Sequence, residues 1–197
     1  MRPTAVLAGV ITLLVGLGAC TTTTTSGTTG PESDPPVDLL HDRGRAARAI
    51  AAIEQAVGAA PARVSDVTVY PEYLITEAQD PAIPDHLDRY TWRDDVVPPP
   101  EPVSLSGPQE DVEASLFPTS TVRWAELSSI VRAAERATLH NSPLRIEEPA
   151  AQYVSVGRST SSADDGRVLM RIYITGPRRS GSVELTAGGE IRSVNVS

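Results

Sequence analysis

The residue types that carry proton transfer, metal binding and nucleophilic attack are sparse in this chain. It has three histidines, His41, His86 and His140, and a single cysteine, Cys20. A transition-metal site needs three or four His, Cys or carboxylate ligands converging, and no histidine here has a partner at ligand spacing. His41 is placed in the first helix, His86 in a Pro-rich loop and His140 at the end of the second helix, all as surface or capping residues. Ser104-Leu105-Ser106-Gly107 lacks the glycine that a nucleophile elbow places two residues before its serine, and residues 159–162 read as a polar loop. There is no Gly-rich phosphate loop and no dinucleotide fingerprint. Adjacent carboxylates occur at Asp94-Asp95 and Asp164-Asp165-Gly166. Two carboxylates are the minimum for acid–base work, but both groups lie where hairpins need turn residues. Neither has the alternating oxygen ligands of a calcium loop. The chain is read as non-catalytic, with no cofactor and no metal.

Cys20 has a different use. Arg2 makes a positive start, residues 5–15 are apolar, and Leu17-Gly18-Ala19-Cys20 closes the segment. The apolar run is too short to span a bilayer and has the layout of a secretory signal. Its last four residues resemble the bacterial lipobox, a branched residue and two small ones before the cysteine. That resemblance implies cleavage before Cys20, diacylation of Cys20 and residence on the outer face of the cell membrane. Two acyl chains anchor stably where one is marginal. Residues 1–19 are then the signal peptide, and residues 20–36 the lipidated cysteine with a tether. The tether, TTTTTSGTTGPESDPP, has no large apolar residue, so it cannot offset its chain entropy and is expected to be disordered. At roughly 5–6 Å times the square root of its length, its reach is on the order of 20–25 Å. The threonine run is also a candidate for O-linked sugar.

Behind the tether the apolar pattern changes. Leu39, Leu40, Ala46, Ala47, Ile50, Ile53 and Val57 recur at three- and four-residue spacing, which predicts an amphipathic helix ending near Gly58 and Pro61. Strands are expected at 64–70, 73–78 and 87–93, with an edge strand or irregular return at 96–105, where four prolines sit. A second amphipathic helix runs from Trp124 through Leu127, Ile130, Val131 and Ala134 to Thr138. Strands follow at 153–156, 167–175, 182–186 and 191–196, the last two joined at Gly188-Gly189. The predicted fold class is α+β. Two tandem units, residues 37–119 and 120–197, would each pack one helix on a four-stranded antiparallel sheet.

This helix-then-sheet unit resembles PepSY-like domains and the two-unit architecture of the secreted β-lactamase-inhibitory proteins. Residues 182–196 carry the resemblance: a strand, a tight Gly-containing turn followed by Glu190, and a strand. It implies a non-catalytic inhibitor, sensor or binder. The inhibitory proteins pin their units with disulfides, whereas this folded part has no cysteine, a departure that weakens the transfer of their inhibitory activity. All 17 basic residues are arginine. With abundant Ala, Val, Pro and Thr this points to a GC-rich genome, and with the lipobox to an actinobacterial cell-envelope lipoprotein.

The net charge of −8 leaves no basic stripe to neutralise phosphates, so nucleic acid is excluded as a partner. The charge is unevenly spread: residues 20–119 hold 17 acidic and 6 basic side chains, residues 120–197 hold 8 and 10. Tyr70, Tyr73, Tyr90 and Trp92 are expected to cluster in the first sheet, and Arg171 and Tyr173 to share one face in the second. Tyr, Trp and Arg on an open sheet are frequent binding anchors. The leading expectation is therefore a membrane-anchored module that binds an envelope protein or peptide through these residues. The alternatives are a carrier of lipid or a small apolar ligand and, last, a hydrolase.

Overall fold

The computed structural model describes residues 37–105, 109–141, 144–161, 164 and 166–197, with only the backbone for 109–111. One compact unit, Pro35–Ser197, contains all of them. The expected signal segment, the lipidation site Cys20 and the tether lie outside the described residues, as does Asp165.

The first helix, α1 (Arg45–Val57), buries Ala46, Ala49, Ile50, Ile53 and Val57 and stops at Gly58, whose φ of 81° and N–H bond to Glu54 close the last turn. It starts later than the apolar spacing suggests. The Asp38 carboxylate accepts the N–H groups of Leu40 and His41 at 2.9 and 3.1 Å, which holds a separate capped turn before Gly44. His41 thus lies outside the helix. The longest helix, at Leu127–His140, follows two single 3-10 turns and buries Leu127, Ile130, Val131, Ala134 and Thr138. Between these two lies a short helix at Gln109–Ser115; the three are α1, α2 and α3 in chain order.

Among the described residues nine strands form one antiparallel sheet. They are β1 (Arg63–Val69), β2 (Tyr73–Gln79), β3 (Leu87–Arg93), β4 (Glu101–Pro102), β5 (Phe117–Pro118), β6 (Ala150–Arg158), β7 (Val168–Thr175), β8 (Ser180–Thr186) and β9 (Ile191–Val196). The lateral order is β4-β3-β2-β1-β6-β7-β8-β9, with β5 paired to β1. This overturns the expected pair of tandem units with a sheet each. β1 pairs antiparallel with β6, Val67 opposite Val156 and Val69 opposite Val154, so strands from both parts of the chain share one sheet. The physical reason is edge satisfaction. A separate four-stranded sheet would leave the backbone of β1 or β6 unpaired along one side, and each supplies the other's missing partners.

One face of the sheet carries the core. Leu74, Val67, Val69, Val154, Val156, Met170, Ile172, Val183 and Leu185 are buried there together with the inward stripes of α1 and α3. The residues that alternate with them form the other face, which neither α1 nor α3 covers. The β1–β2 and β7–β8 turns, the Asp94-Asp95 turn and the start of β6 gather at one end of the sheet, here the upper end. Leu39 donates to the Pro71 carbonyl at 2.7 Å, so the described chain also enters there. Val69 pairs with Val154 while β6 begins at Ala150, so β6, β7 and β8 project past the end of β1.

Candidate functional site: a tyrosine ribbon on the uncovered face

Parity along each strand decides which aromatics meet a partner and which fill the core. In β3 the polar Arg89, Thr91 and Arg93 alternate with Tyr90 and Trp92, and the two aromatics point inward. Tyr90 is 6 % and Trp92 1 % exposed. The Arg45 guanidinium lies over the Trp92 ring at 5.6 Å. The expected open cluster of Tyr70, Tyr73, Tyr90 and Trp92 therefore divides, with Tyr90 and Trp92 belonging to the core. Opposite parity in β2 puts Tyr73, Ile75 and Glu77 on the uncovered face.

Tyr70 and Tyr73 stand on either side of the β1–β2 turn, their rings stacked with centroids 4.4 Å apart and planes at 17°. Across the β1–β6 seam Tyr70 meets Tyr153 at 5.4 Å. Tyr153 is the register partner of Tyr173 in β7, and these rings stack at 4.3 Å and 19°. Arg93, opposite Tyr73 in β3, caps the row at its other end, 4.5 Å from that ring. The result is a continuous ribbon, Arg93–Tyr73–Tyr70–Tyr153–Tyr173, across the upper part of the sheet. Apart from the outer face of Tyr173, ring faces are taken up by neighbouring rings or by Arg93, so edges and hydroxyls are most of what the ribbon offers outward. Tyr173 has a ring neighbour on one side only among the described residues.

Tyr153 was not among the residues singled out by sequence. It stands between Gln152 and Val154 in β6, and nothing local marks it until the β1–β6 pairing places it beside Tyr70. The readable signal was its place as register partner of Tyr173 once both strands are drawn on one sheet.

Two hollows flank Tyr173 on this face. One, of about 440 Å³, is lined by Tyr153, Tyr173, Ser182 and Asn195 among others. The second, also about 440 Å³, lies beside Ser155, Leu169, Arg171 and Glu184. Arg171 pairs with Glu184 at 3.0 Å, and Glu184 also receives Arg192 at 3.2 Å, which in turn reaches Asp164 at 2.6 Å. Arg171 is held protonated beyond its ordinary range, first by the Tyr173 hydroxyl and then by Glu184. Burial, followed by the neighbouring Tyr173, pushes the Tyr153 phenol up, so this hydroxyl stays a neutral donor. Toward the other side of the sheet, Asp66 and Glu77 lie opposite each other and Arg89 reaches Glu77 at 2.8 Å. Burial and then Glu77 raise Asp66 above the usual carboxylate range.

Among the described residues no three His, Cys, Asp or Glu side chains gather as a metal-binding group. Asp94 and Asp95, at φ 52° and 61°, form the two-residue turn between Arg93 and Val96, which exchange both backbone hydrogen bonds. His41 joins Asp38 at 2.8 Å to Glu135 of α3 at 3.1 Å. No helix of the described residues is long and apolar enough to cross a membrane.

Comparison with protein-family models, with curated proteins and with solved structures gives no match.

Proposed function

We propose that this protein is a non-catalytic cell-envelope lipoprotein, anchored through Cys20, that binds an envelope protein or peptide on its uncovered sheet face. The observation that supports the reading is the four-tyrosine ribbon, with Arg93 over the Tyr73 ring and Arg171 beside Tyr173. Tyrosine supplies large amphipathic contact area at low entropic cost, and stacking fixes these rings before any partner arrives. The pairing of ring edges and hydroxyls with two arginines suits a partner surface rich in carbonyl and carboxylate acceptors.

Site-specific photo-crosslinking in intact cells tests it. A photoreactive residue at Ser155 or Ser182, beside the ribbon, is expected to give one discrete protein adduct, and Tyr70→Ala with Tyr173→Ala to weaken it. The same probe at Ala51, on the solvent side of α1, is expected to give none. Equal labelling from Ala51 and from the ribbon face would remove the assignment.

A further inference from the structure

At the upper end of the sheet Arg145, Glu147, Arg178 and Arg179 line a hollow of about 260 Å³. The segment after α3 supplies the first two and the β7–β8 turn supplies the others. Gly176 lets these segments meet. A Cβ there would run into the Glu147 carbonyl and lie 2.6 Å from the Ile146 side chain. Ile146 is itself fastened to the end of α3 by its N–H bond to Thr138, 3.1 Å, and Gly176 to Arg179 by one of 2.9 Å. Glu147 engages Arg145 at 3.5 Å with both side chains exposed. The guanidinium groups of Arg178 and Arg179 have no ion pair or hydrogen bond among the described residues. Basic side chains are thus brought together with one weakly paired carboxylate, on a chain whose net charge is −8. Leu144, next in sequence to Arg145, and Leu139, in the last turn of α3, are exposed large apolar residues, at 41 % and 38 %.

The placement of this hollow narrows what it meets. The described chain enters the fold at the same end, where Leu39 is bonded to Pro71. With strands about 4.8 Å apart, the β1–β2 and β7–β8 turns are separated by about 15 Å. β6, β7 and β8 project past β1, so Arg178 and Arg179 lead on that side. Thirty-six residues precede Val37, and Cys20 is only sixteen residues short of that segment's end. If Cys20 is anchored as the sequence leads us to expect, sixteen residues of flexible chain would keep the upper end close to the membrane.

We propose that the Arg145–Arg178–Arg179 hollow rests on the anionic phospholipid headgroups of the membrane to which the chain is tethered. A guanidinium matches a phosphate through paired N–H donors, and basic residues close to an anionic surface are drawn to it. The proposal rests on the membrane location given above and not on the tyrosine ribbon.

Vesicle flotation tests it, with the chain from residue 20 onward carrying Cys20→Ser, so that no acyl chain contributes. Retention is expected on vesicles containing phosphatidylglycerol, not on pure phosphatidylcholine, and is expected to fall as salt rises. Arg178→Gln with Arg179→Gln should lower retention about tenfold or more while the thermal midpoint stays unchanged, since both side chains are exposed. No retention, equal retention on neutral vesicles, or equal retention of the double variant would overturn the proposal. Loss of retention in inorganic phosphate at matched ionic strength would also overturn it, in favour of a small-anion site. Acylation of Cys20 is read separately, by mass spectrometry of the cell-derived protein, so failure of the anchor and failure of the surface are distinct results.

Discussion

Tyr70 and Tyr153 hold their ring centroids 5.4 Å apart across the seam where β1 pairs with β6. Tyr153 is also stacked on Tyr173, so it is the ring through which the two ends of the ribbon communicate. Removing it takes away two aromatic contacts, each worth about 0.5–1.5 kcal/mol beyond area burial. Tyr153→Ala is expected to lower stability by about 1–3 kcal/mol in urea unfolding, and Tyr153→Phe to leave it nearly unchanged.

Trp92 provides the contrast. It is 1 % exposed and packed in the core under Arg45. Trp92→Ala is expected to cost about 3–5 kcal/mol, and Tyr173→Ala much less. A binding defect of the Trp92 variant would therefore report unfolding, and circular dichroism melts of both variants separate the cases.

His41 makes stability depend on pH. Burial alone would lower its pKa, but the hydrogen bonds its ring donates to Glu135 and then Asp38 outweigh this and raise it above 6.5. The folded state thus holds the proton more tightly than the unfolded chain. The resulting stabilisation is complete below about pH 6.5 and is lost as pH rises through the raised value. Thermal midpoints measured across that interval should fall for the wild type relative to His41→Gln, which lacks the titrating group.

Asp66 has the same direction of shift with a different consequence. Its raised pKa, from burial and then from Glu77 opposite it, means that the ionised carboxylate is disfavoured in the folded state. Asp66→Asn is expected to be more stable than the wild type at neutral pH. The advantage should shrink on acidification, as the wild-type carboxyl protonates. Equal pH profiles for the two proteins would contradict the assignment.

Gly189, in the β8–β9 turn, has φ +87°, and a Cβ there would lie 2.8 Å from the Ile130 side chain of α3. Gly189→Ala combines left-handed backbone strain with displacement of a buried isoleucine. It should cost about 1–3 kcal/mol in chemical unfolding.

Much of the secondary structure is legible in the sequence itself. Apolar spacing located the bodies of α1 and α3, and strict alternation located β7. What stayed hidden depends on contacts distant in sequence. The start of α1 was misplaced because Leu39 and Leu40 continue the helical stripe and are buried, while the Asp38 turn and Gly44 interrupt the backbone. The one-sheet topology was missed because apolar alternation marks a strand and its inward face, not its lateral neighbour. β1 and β6 each read as a possible edge. The inward turn of Tyr90 and Trp92 was readable, since Arg89, Thr91 and Arg93 alternate with them. The ribbon was not, because Tyr70 and Tyr153 come together only through the seam.

That seam also sets an order of events. Asp66 must wait for Gly157 and Val69 for Val154, with most of the folded chain lying between them. Closing so long an interval is slow compared with forming the local hairpins. A nascent chain that emerges from its amino terminus therefore passes through a stage in which β1 is complete and its inner side is bare, a stage open to pairing with another such chain. Phe117 and Pro118 cover the start of that side, at Val64 and Arg63, but from Asp66 to Val69 it stays an unpaired edge until residues 150–158 arrive.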